Sequence, residues 1–532
     1  MQNIDIVKAD LIAQIDKRLE DRIIESTNAE LLKKLITNAE STNEAMMIAE
    51  LGTTYKRTGF HFDKRLEKLG SDIKYLKKNE KLSFLNNADA LTHKLIIGDN
   101  YDALQQLLIT HRGMVDVIYI DPPYGANDMG EFANTNYTNS LTRDNLMSML
   151  YPRLQLARQL LSENGIIFCS IDNKNYPYLK GLFDEVFHEQ NCITTLHWKK
   201  KKQPSFLSVV AEVMEYIIVY SKNPNTIKKL SIESLSDSNK PVINASNQMQ
   251  ERTIRKGCRV KANVDFIKAG TIKNKTMEIT YLDDVYVQNG RTLNDFRCVA
   301  KFRTNQENID EFCSSDTLFI TKNLGLRRDL MENEKNNPKS ITDLILDWGQ
   351  NQDGSQELKE IFGIQNNTTV FDNPKPTMLI KNLIKSTMKQ DAVVLDFFAG
   401  SGTTGQAVLE LNKEDEGNRS FILCTNNEIT NLNPNGIAHD VTSKRLKRVM
   451  CGKCYDGSTD FKWLEKNEPY GDNLDVYDIE SVNATEQGAG QSPFDVISET
   501  CYDMPKFTSV QEKIAWVCNN FENTQKYIKE EE

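Results

Sequence analysis

Two short apolar segments, far apart along the chain, each run into a loop of unusual composition. The first, residues 115–120, is followed by Asp-Pro-Pro-Tyr at 121–124; the second, residues 393–396, is followed by Phe-Phe-Ala-Gly-Ser-Gly-Thr-Thr-Gly at 397–405. Short apolar runs bounded by turn residues are typical of strands buried on both faces. The first loop presents a carboxylate, a rigid backbone and an aromatic ring, and the second is a glycine turn that lets a ligand touch the backbone. We therefore predict two buried strands, each ending in a loop built for close approach.

Strand-like and helix-like segments alternate on both sides of a middle region that lacks this alternation. The predicted strands are residues 95–100, 115–120, 165–172, 216–220, 393–397 and 421–425. The predicted helices are residues 101–109, 146–161, 178–187, 376–388, 403–411 and 441–451. Alternation of this kind predicts an α/β fold with a parallel, doubly wound sheet. Residues 224–345 are polar and rich in asparagine, with strand-like pieces at 277–281 and 298–302, so an inserted domain is predicted to split the sheet.

The chain of 532 residues is long enough for two to four domains, and we divide it into five segments. Residues 1–85 are predicted to be a helical N-terminal extension, a packing or oligomerisation appendage with amphipathic stretches that include 64–69 and 73–76. Residues 86–223 and 371–455 form the two halves of the α/β domain. Residues 224–370 form the inserted domain, and residues 456–532 form an acidic C-terminal segment.

The distribution of charge singles out the inserted domain. The net charge is −10, but residues 199–303 hold 20 Lys and Arg against 10 Asp and Glu, whereas residues 456–532 hold 6 against 17. A basic region within an acidic protein favours binding of a polyanion, with chance clustering on solvated faces as the alternative. The candidate phosphate-binding residues are Lys199, Lys200, Lys201, Lys202, Arg252, Arg255, Lys256, Arg259 and Lys261.

Cysteine usage and hydropathy place the chain among intracellular proteins. No apolar run approaches the roughly 20 residues that a membrane span needs, and the N-terminus lacks the basic head and apolar core of a signal peptide. The ten cysteines are scattered, and Cys451-Gly452-Lys453-Cys454 is a lone pair with no second pair at zinc spacing. We predict a soluble protein with reduced cysteines and no membrane contact.

The order of three motifs resembles that of the β-class S-adenosylmethionine-dependent DNA amino-methyltransferases. Asp-Pro-Pro-Tyr at 121–124 comes first, Asn-Pro-Lys-Pro at 373–376 follows the inserted domain, and Phe-x-Gly-x-Gly at 398–402 comes last. The motif resemblance covers about residues 94–222 and 371–455. It departs from the family at 125–127, where Gly-Ala-Asn replaces the asparagine that often follows the tyrosine. The resemblance implies a circularly permuted Rossmann-like methyltransferase sheet, cut between its second and third strands, with an inserted target-recognition domain.

The resemblance gives the first loop the catalytic role. An exocyclic amine of adenine or cytosine is a poor nucleophile because its lone pair is delocalised, and acceptors aimed at its two N–H bonds rehybridise it. Asp121 is expected to accept one N–H and the Pro122 carbonyl the other, while Pro123 stiffens the loop. Tyr124 offers a face on which an extruded base stacks, so base flipping is implied. An aspartate at the first position of the motif favours adenine N6 over cytosine N4.

The resemblance also implies an S-adenosyl-L-methionine site around the second loop. Asp396 is expected to meet the cofactor's ammonium and Lys375 its carboxylate. Glu428 falls where an acidic residue holds the ribose hydroxyls, and Asp99 where a residue contacts the adenine amine; a turn or loop role is the alternative for these three carboxylates. The full predicted set is Asp99, Pro374, Lys375, Pro376, Asp396, Phe398, Gly400, Ser401, Gly402, Thr403 and Glu428.

The helical N-terminus and the segment after the glycine-loop half look most like the modification subunits of type III restriction–modification systems. That likeness implies a bacterial cytoplasmic protein, associated with the nucleoid through DNA, that forms a homodimer and binds double-stranded DNA and a helicase–nuclease restriction subunit. Residues 456–532 would serve in dimerisation or partner docking, with a solvated acidic tail as the alternative. Methylation of cytosine N4, or a DNA-recognition scaffold for a nuclease, are the competing functions. No metal is predicted, because methyl transfer from a sulfonium needs none.

Overall fold

The chain separates into two compact units in the computed structural model. The described residues are 4–20, 24, 26–50, 72–124, 142–202, 209–232, 239–244, 246–273, 278–331, 334, 338–364, 370–483 and 492–521. The inserted unit comprises residues 228–341 and 385–388, and the sheet unit comprises the remainder. The inserted unit is shorter than the predicted range 224–370, because residues 342–364 and 370 pack with the sheet unit.

Ten described strands form the sheet of the sheet unit. They are β1 (Asp72–Lys78), β2 (Thr92–Ile97), β3 (Val115–Ile120), β4 (Leu161–Ile171), β5 (Cys192–Lys199), β6 (Met214–Ser221), β7 (Leu344–Ile345), β8 (Val393–Asp396), β9 (Ser420–Thr425) and β10 (Asn473–Asn483). Their order across the sheet is β1-β10-β2-β9-β8-β3-β4-β6-β5-β7. The six strands from β10 to β4 are mutually parallel.

The sheet is mixed rather than wholly parallel, which corrects the prediction. β6 runs antiparallel to both β4 and β5, and β1 runs antiparallel to β10. Residues 217–221 of β6 are all buried, as they would be in a parallel strand. A strand covered on both faces is apolar whatever its direction, so the sequence pattern does not encode the direction. The antiparallel course of β6 brings its first residues to the edge where β3 and β4 end.

Helices pack against the strands of this sheet. They are Asn100–His111, Thr142–Leu160, Tyr176–Phe187, Asn351–Phe362, Thr377–Ser386, Thr403–Asp415, Ser443–Cys451, Pro493–Val496 and Val510–Asn520. The six predicted helices of the α/β pattern all fall within this set. The core is formed by fully buried side chains of the strands and helices, among them Ile118, Leu154, Phe183 and Leu395. None of the described helices combines the length and the apolar composition that a membrane span requires.

Two segments outside the predicted α/β pattern contribute strands to the sheet. Residues 73–76, predicted to be helical, lie in β1, where Ile73, Tyr75 and Leu76 are buried. Residues 473–483 of the predicted acidic C-terminal segment form β10, which lies between β1 and β2. The alternative of a solvated tail is therefore wrong for these residues. Both strands mix charged residues with buried ones. Their sequences are therefore less apolar than those of the central strands, so the pattern does not mark them as strands.

The N-terminal residues form three helices with a small core of their own. The helices are Ile4–Glu20, Ser26–Asn38 and Thr42–Glu50. Ile15, Ala29, Ile36 and Ala45 are completely buried against one another. The amphipathic stretch predicted at 64–69 lies outside the described residues.

The inserted unit is built mainly from short strands around a separate core. A seven-stranded sheet comprises Asn239–Pro241, Arg259–Val260, Phe266–Ile267, Val285–Gln288, Arg291–Thr292, Leu318–Ile320 and Leu326–Asp329. A four-stranded sheet comprises Gln250–Ile254, Gly270–Lys273, Glu278–Tyr281 and Phe296–Ala300, and a helix covers Gln306–Ser314. The two predicted strand-like pieces correspond to Glu278–Tyr281 and Phe296–Ala300, and Met277 lies outside the described residues.

Candidate active site

The two motif loops meet at one edge of the sheet. β3 and β8 are parallel neighbours, with Val394 opposite Val117 and Leu395 opposite Ile118, so the loops that follow them emerge side by side. Both loops line a cavity of about 640 Å³. Nine predicted site residues contribute to its wall, namely Asp99, Asp121, Pro122, Pro123, Tyr124, Lys375, Phe398, Gly400 and Glu428. Ligands of open α/β sheets bind at such an edge, beyond the carboxyl ends of the strands.

The Asp121 carboxylate is held by two donors on the cavity wall. The Tyr124 hydroxyl donates to Asp121 Oδ1 at 2.6 Å, and the Lys375 ammonium lies 3.0 Å from the same oxygen. Lys375 Nζ also donates to the Tyr124 hydroxyl at 2.9 Å and lies 5.0 Å from the centre of the Tyr124 ring. Burial raises the pKa of the Asp121 carboxyl, and Lys375 and Tyr124 oppose that rise. These contacts fix the orientation of the carboxylate and favour its ionised form.

Lys375 lies in a different environment from the one the motif resemblance implies. Its ammonium is 6% exposed and lies between Asp121 and the carboxylate of Glu215, which is 3.2 Å away. Glu215 Oε1 in turn accepts from Lys200 Nζ at 2.9 Å. Burial acts to lower the pKa of Lys375, but Asp121 and Glu215 outweigh it and the pKa lies above its usual value. Lys375 is therefore bound to protein carboxylates within the described residues.

Glu215 and Asn175 are site residues that the sequence reasoning missed. Burial opposes ionisation of Glu215, but Lys375 and Lys200 outweigh it and hold the pKa of its carboxyl below the usual value. The Asn175 side-chain amide donates to the backbone carbonyl of Tyr124 at 2.7 Å and so anchors the catalytic loop. A single carboxylate at the start of the apolar run 214–221 was the available signal, because buried acids are rare unless they are paired.

The glycine loop adopts a conformation that requires its glycines. Gly400 and Gly402 have φ values of +48° and +78°. A Cβ added at Gly400 would lie 3.1 Å from Phe371 Cζ, and one at Gly402 would lie 3.2 Å from Thr442 Cγ2. The Thr442 hydroxyl donates to the Gly400 carbonyl at 2.6 Å. The loop is therefore closely packed from below, while Gly400 itself faces the cavity.

Two predicted cofactor residues of this loop point into the protein instead. Ser401 and Thr403 are buried, and both side chains accept from the guanidinium of Arg445, at 3.2 Å and 2.7 Å. Arg445 is completely buried and also donates to Gln406 Oε1 at 2.9 Å. Ser401 and Thr403 thus support the loop from below, and Gly402 is likewise not part of the described cavity wall.

Asp396 is enclosed beneath the loop and does not contribute to the described cavity wall. Its Oδ2 accepts from the Thr404 hydroxyl at 2.5 Å and its Oδ1 from the Phe398 N–H at 3.0 Å. The carboxyl is 2% exposed, and burial raises its pKa to about 7. This geometry matches the turn role that was the alternative to contact with a cofactor ammonium.

The raised pKa of Asp396 predicts a dependence of stability on pH. Because the folded pKa of about 7 exceeds the usual value of 3.8, the folded state binds this proton more tightly than the unfolded state. The stabilisation is complete below the unfolded pKa and is lost as the pH rises through the folded pKa. Between pH 5 and 8 the free energy of unfolding of the wild type should fall by roughly 2 kcal/mol relative to that of Asp396→Asn. Urea unfolding of both proteins at each pH measures the difference, and parallel pH profiles would contradict the assignment.

Asp99 lies on the cavity wall and caps a helix. Its side chain accepts from the Tyr101 N–H at 2.7 Å, which caps the helix Asn100–His111. The buried Arg153 donates to Asp99 Oδ1 at 3.0 Å and also contacts Asn100 Oδ1 at 2.5 Å. The cap and the arginine fix the position of the Asp99 carboxylate at the end of β2.

The remaining predicted residues divide between the wall and its support. Glu428, just beyond β9, and Phe398 line the cavity, whereas Pro374 and Pro376 are buried. A Cβ added at Gly354 would lie 2.4 Å from the Pro374 carbonyl oxygen, so the helix Asn351–Phe362 packs directly on this backbone. Among the described residues no cluster of three or more His, Cys, Asp or Glu side chains is suited to hold a metal ion.

Many of the predicted phosphate-binding residues are engaged in internal contacts. Lys199 and Lys200 are partly buried and Lys201 and Lys202 are exposed, all in the sheet unit. Lys256 and Lys261 are exposed in the inserted unit, and Lys261 Nζ lies 3.6 Å from the centre of the Phe319 ring. The three arginines bind protein groups: Arg252 the Thr304 carbonyl at 2.9 Å, Arg255 Asp310 at 3.1 Å, and Arg259 Asp329 at 2.5 Å.

Comparison with known proteins identifies a matching family and several relatives. A family model described as DNA methylase matches residues 115–429, and a model of an uncharacterised conserved protein matches residues 8–117. The Mod subunit of the type III restriction-modification enzyme StyLTI from Salmonella typhimurium is 32% identical over 391 residues, which are 67% of this chain and 57% of that subunit. The EcoP15I Mod subunit from Escherichia coli is 26% identical, over 71% of this chain and 67% of its own length.

A solved structure adds a weaker likeness. The cytosine-N4-specific PvuII DNA methyltransferase matches with 12% identity and a TM-score of 0.33, over 63% of this chain and 82% of that one. The chain spans little more than half the length of the StyLTI subunit. Because the DNA methylase model covers more than half of the chain, the chain belongs to the DNA methylase family and is similar to type III Mod subunits.

Proposed function

We propose that the chain is an S-adenosylmethionine-dependent DNA methyltransferase that modifies adenine N6 in a short duplex motif. In this proposal it serves as the modification and recognition subunit of a restriction–modification system in the bacterial cytoplasm. One observation carries the proposal: the Asp121 loop and the Gly400 loop end adjacent strands and line a single cavity. A nucleophile and a methyl donor bound by these two loops would lie side by side.

The residues of the cavity fit the cofactor. The volume of about 640 Å³ is within the range of small-molecule sites. Gly400 keeps the wall open where a Cβ would crowd Phe371, and Phe398 gives an aromatic surface. Asp99 and Glu428 offer carboxylates for hydroxyl, amine or cationic groups. S-adenosylmethionine supplies an electrophilic methyl group on a sulfonium, and these wall residues would hold it.

The residues of the first loop fit activation of an exocyclic amine. Asp121 would accept one N–H of the amine and the Pro122 carbonyl the other, which draws the lone pair out of the ring. The Tyr124 hydroxyl and Lys375 hold the carboxylate, and Asn175 holds the Tyr124 carbonyl, so the acceptors are oriented before the base arrives. Tyr124 also presents its ring to a flipped base. The preference for adenine follows from Asp121 at the first position of the motif.

The sheet order supports the permuted topology. The glycine-loop strand β8 is followed in sequence by β9, whereas β2, β3 and β4 precede both. Across the sheet these strands lie in the order β2-β9-β8-β3-β4. This is the arrangement expected when a methyltransferase sheet is cut between its second and third strands. The three helices within residues 4–50 would then be an extension of this domain.

We assign target recognition to the inserted unit. The exposed lysines Lys256 and Lys261 are candidates for phosphate contact, and the internally paired arginines would shape the surface instead of binding phosphate. The relatives named as Mod subunits of type III restriction-modification enzymes support DNA as the substrate and a restriction–modification system as the setting. A double-stranded substrate, a homodimer and a helicase–nuclease restriction partner complete the proposal. Residues 456–532, apart from the sheet strand β10 within them, are the proposed region for dimerisation or partner docking.

Base-resolved methylome sequencing tests the proposal directly. The full chain and its Asp121→Ala variant are expressed separately in a bacterium that lacks DNA methylation. Methylated adenine at one short motif, absent with the variant, is the expected result. N4-methylcytosine at the motif would replace the adenine assignment, and a mark that persists in the variant would refute the role of Asp121. DNA without a mark would favour the scaffold function.

A further inference from the structure

A chain of four alternating charges, the central two of them buried, ends at Asp121. Lys200 Nζ lies 2.9 Å from Glu215 Oε1, Lys375 Nζ lies 3.2 Å from Glu215 Oε2, and Lys375 Nζ lies 3.0 Å from Asp121 Oδ1. The exposed fractions of the Glu215 and Lys375 side chains are 4% and 6%. Two cations and two anions give a net charge of zero when all four groups are ionised. Such a cluster tolerates burial because each charge faces an opposite one.

The strand pairing places Glu215 at the edge of the sheet that carries the catalytic loop. Glu215 lies opposite Trp198 in the pairing of β5 with β6, at the start of β6. Because β6 is antiparallel to β4, that start lies at the catalytic edge of the sheet. The Lys375 ammonium therefore contacts two carboxylates, that of Asp121 on the catalytic loop and that of Glu215 on strand β6.

The backbone of Lys375 is closely packed by a neighbouring helix. A Cβ added at Gly354 would lie 2.9 Å from the carbonyl carbon of Lys375, which means that the helix Asn351–Phe362 packs directly against it. The Trp198 indole N–H donates to the Gly349 carbonyl at 2.9 Å, and its ring centre lies 5.9 Å from Lys375 Nζ. These contacts surround Lys375, whose ammonium lies within ion-pair distance of both Asp121 and Glu215.

Both contacts to Asp121 converge on one oxygen. The Tyr124 hydroxyl and the Lys375 ammonium both contact Oδ1 of Asp121. A substrate amine that donates to Asp121 competes with Lys375 for the same negative charge. If Asp121 were the sole anion near Lys375, the amine would have to disrupt a buried ion pair.

We propose that Glu215 is a positioning residue that neutralises Lys375 and so leaves the Asp121 carboxylate available to accept the N–H of the target amine. This inference rests on the proposed function. Lys375 then orients the Asp121 carboxylate, while Glu215 offsets the positive charge that would otherwise neutralise Asp121. Lys200 keeps Glu215 ionised and completes the charge balance.

The test compares four forms of the full chain: wild type, Glu215→Gln, the double variant Glu215→Gln with Lys200→Met, and Glu163→Gln. Gln keeps the size of Glu215 but removes its charge. The double variant restores a net charge of zero to the cluster and leaves Asp121 as the carboxylate that faces Lys375. Glu163 serves as the control, because its side chain is 74% exposed and forms only a long ion pair of 3.6 Å with Lys222 in the described part of the chain.

Transfer of tritiated methyl groups to genomic DNA from a methylation-free bacterium gives kcat and KM. Calorimetry gives the Kd of S-adenosylmethionine, and a melting curve gives Tm. We expect kcat to fall at least tenfold in both Glu215 variants while the cofactor Kd changes less than twofold. Tm should drop in the single variant and recover in the double variant, whereas kcat should not recover.

Three outcomes would overturn the inference. A kcat of Glu215→Gln within twofold of the wild type would show that size alone matters at this position. Recovery of kcat together with Tm in the double variant would reduce Glu215 to a stabilising charge. If the wild type itself transferred no methyl group, the proposed function would fail and this inference with it, so the two failures are distinguishable.

Discussion

Replacement of Asp121 by asparagine should lower kcat for methyl transfer by about 10²–10³-fold, the loss seen when one preorganised transition-state contact is removed. Asparagine has nearly the same shape but carries no charge, and its amide nitrogen would donate toward an amine that itself needs an acceptor. The Tyr124 hydroxyl and the Lys375 ammonium would keep a carbonyl oxygen oriented as Oδ1 is now. The loss should therefore fall on the chemical step rather than on binding.

Two measurements separate this expectation from general damage. The Kd of S-adenosylmethionine in Asp121→Asn should stay within a few-fold of that of the wild type, since the second loop is unchanged. Asp391→Asn is the matched control, because Asp391 is exposed and precedes β8 at the opposite end from the cavity. A kcat for Asp121→Asn equal to that of this control would remove Asp121 from the mechanism.

Replacement of Gly400 by alanine should weaken binding of S-adenosylmethionine about tenfold or more, which corresponds to a loss of 1.4 kcal/mol. The φ of +48° is in the left-handed region, where a residue with a Cβ is disfavoured by roughly 1–2 kcal/mol. The new methyl group would also lie 3.1 Å from Phe371 Cζ. Phe371 lines the cavity, so the ring and the loop must move into the space meant for the ligand.

Gly457 provides the control for backbone strain. Its φ is +83°, and a Cβ built there meets no atom within 4 Å. Gly457→Ala thus introduces a comparable left-handed alanine without crowding the cavity. Both variants should lose stability in thermal melts, but only Gly400→Ala should lose affinity in calorimetry. Equal affinities for the two variants would show that glycine at position 400 serves the conformation of the loop and not the ligand site.

The central strands and their loops were predictable because each carries its signal locally. Residues 115–120 and 393–396 are apolar throughout, as burial on both faces demands, and their loops hold residues with special backbone properties. Their meeting at one edge followed from the resemblance to a known motif order. The structure describes both strands within a residue of their predicted bounds.

Partners of charged side chains could not be predicted in the same way. Lys375 was expected to bind a cofactor carboxylate, yet Asp121 and Glu215 surround it. Arg255 and Arg259 were expected to bind phosphate, yet each pairs with an aspartate far along the chain. A local pattern reveals that a charge is present, but its partner depends on which strands become neighbours. The direction of β6, which brings Glu215 to Lys375, cannot be predicted from the sequence for the same reason.

The position of β10 affects how the chain folds during its synthesis on the ribosome. β1 has β10 as its described neighbour, and they pair along their whole length, from Asp72 opposite Asn483 to Lys78 opposite Tyr477. While the ribosome is still adding residues before 473, β1 lacks this neighbour and the outer edge of β2 stays uncovered. An uncovered strand edge invites pairing with other chains. Synthesis therefore passes through a long aggregation-prone interval, and chains truncated before residue 483 should depend on chaperones to remain dispersed.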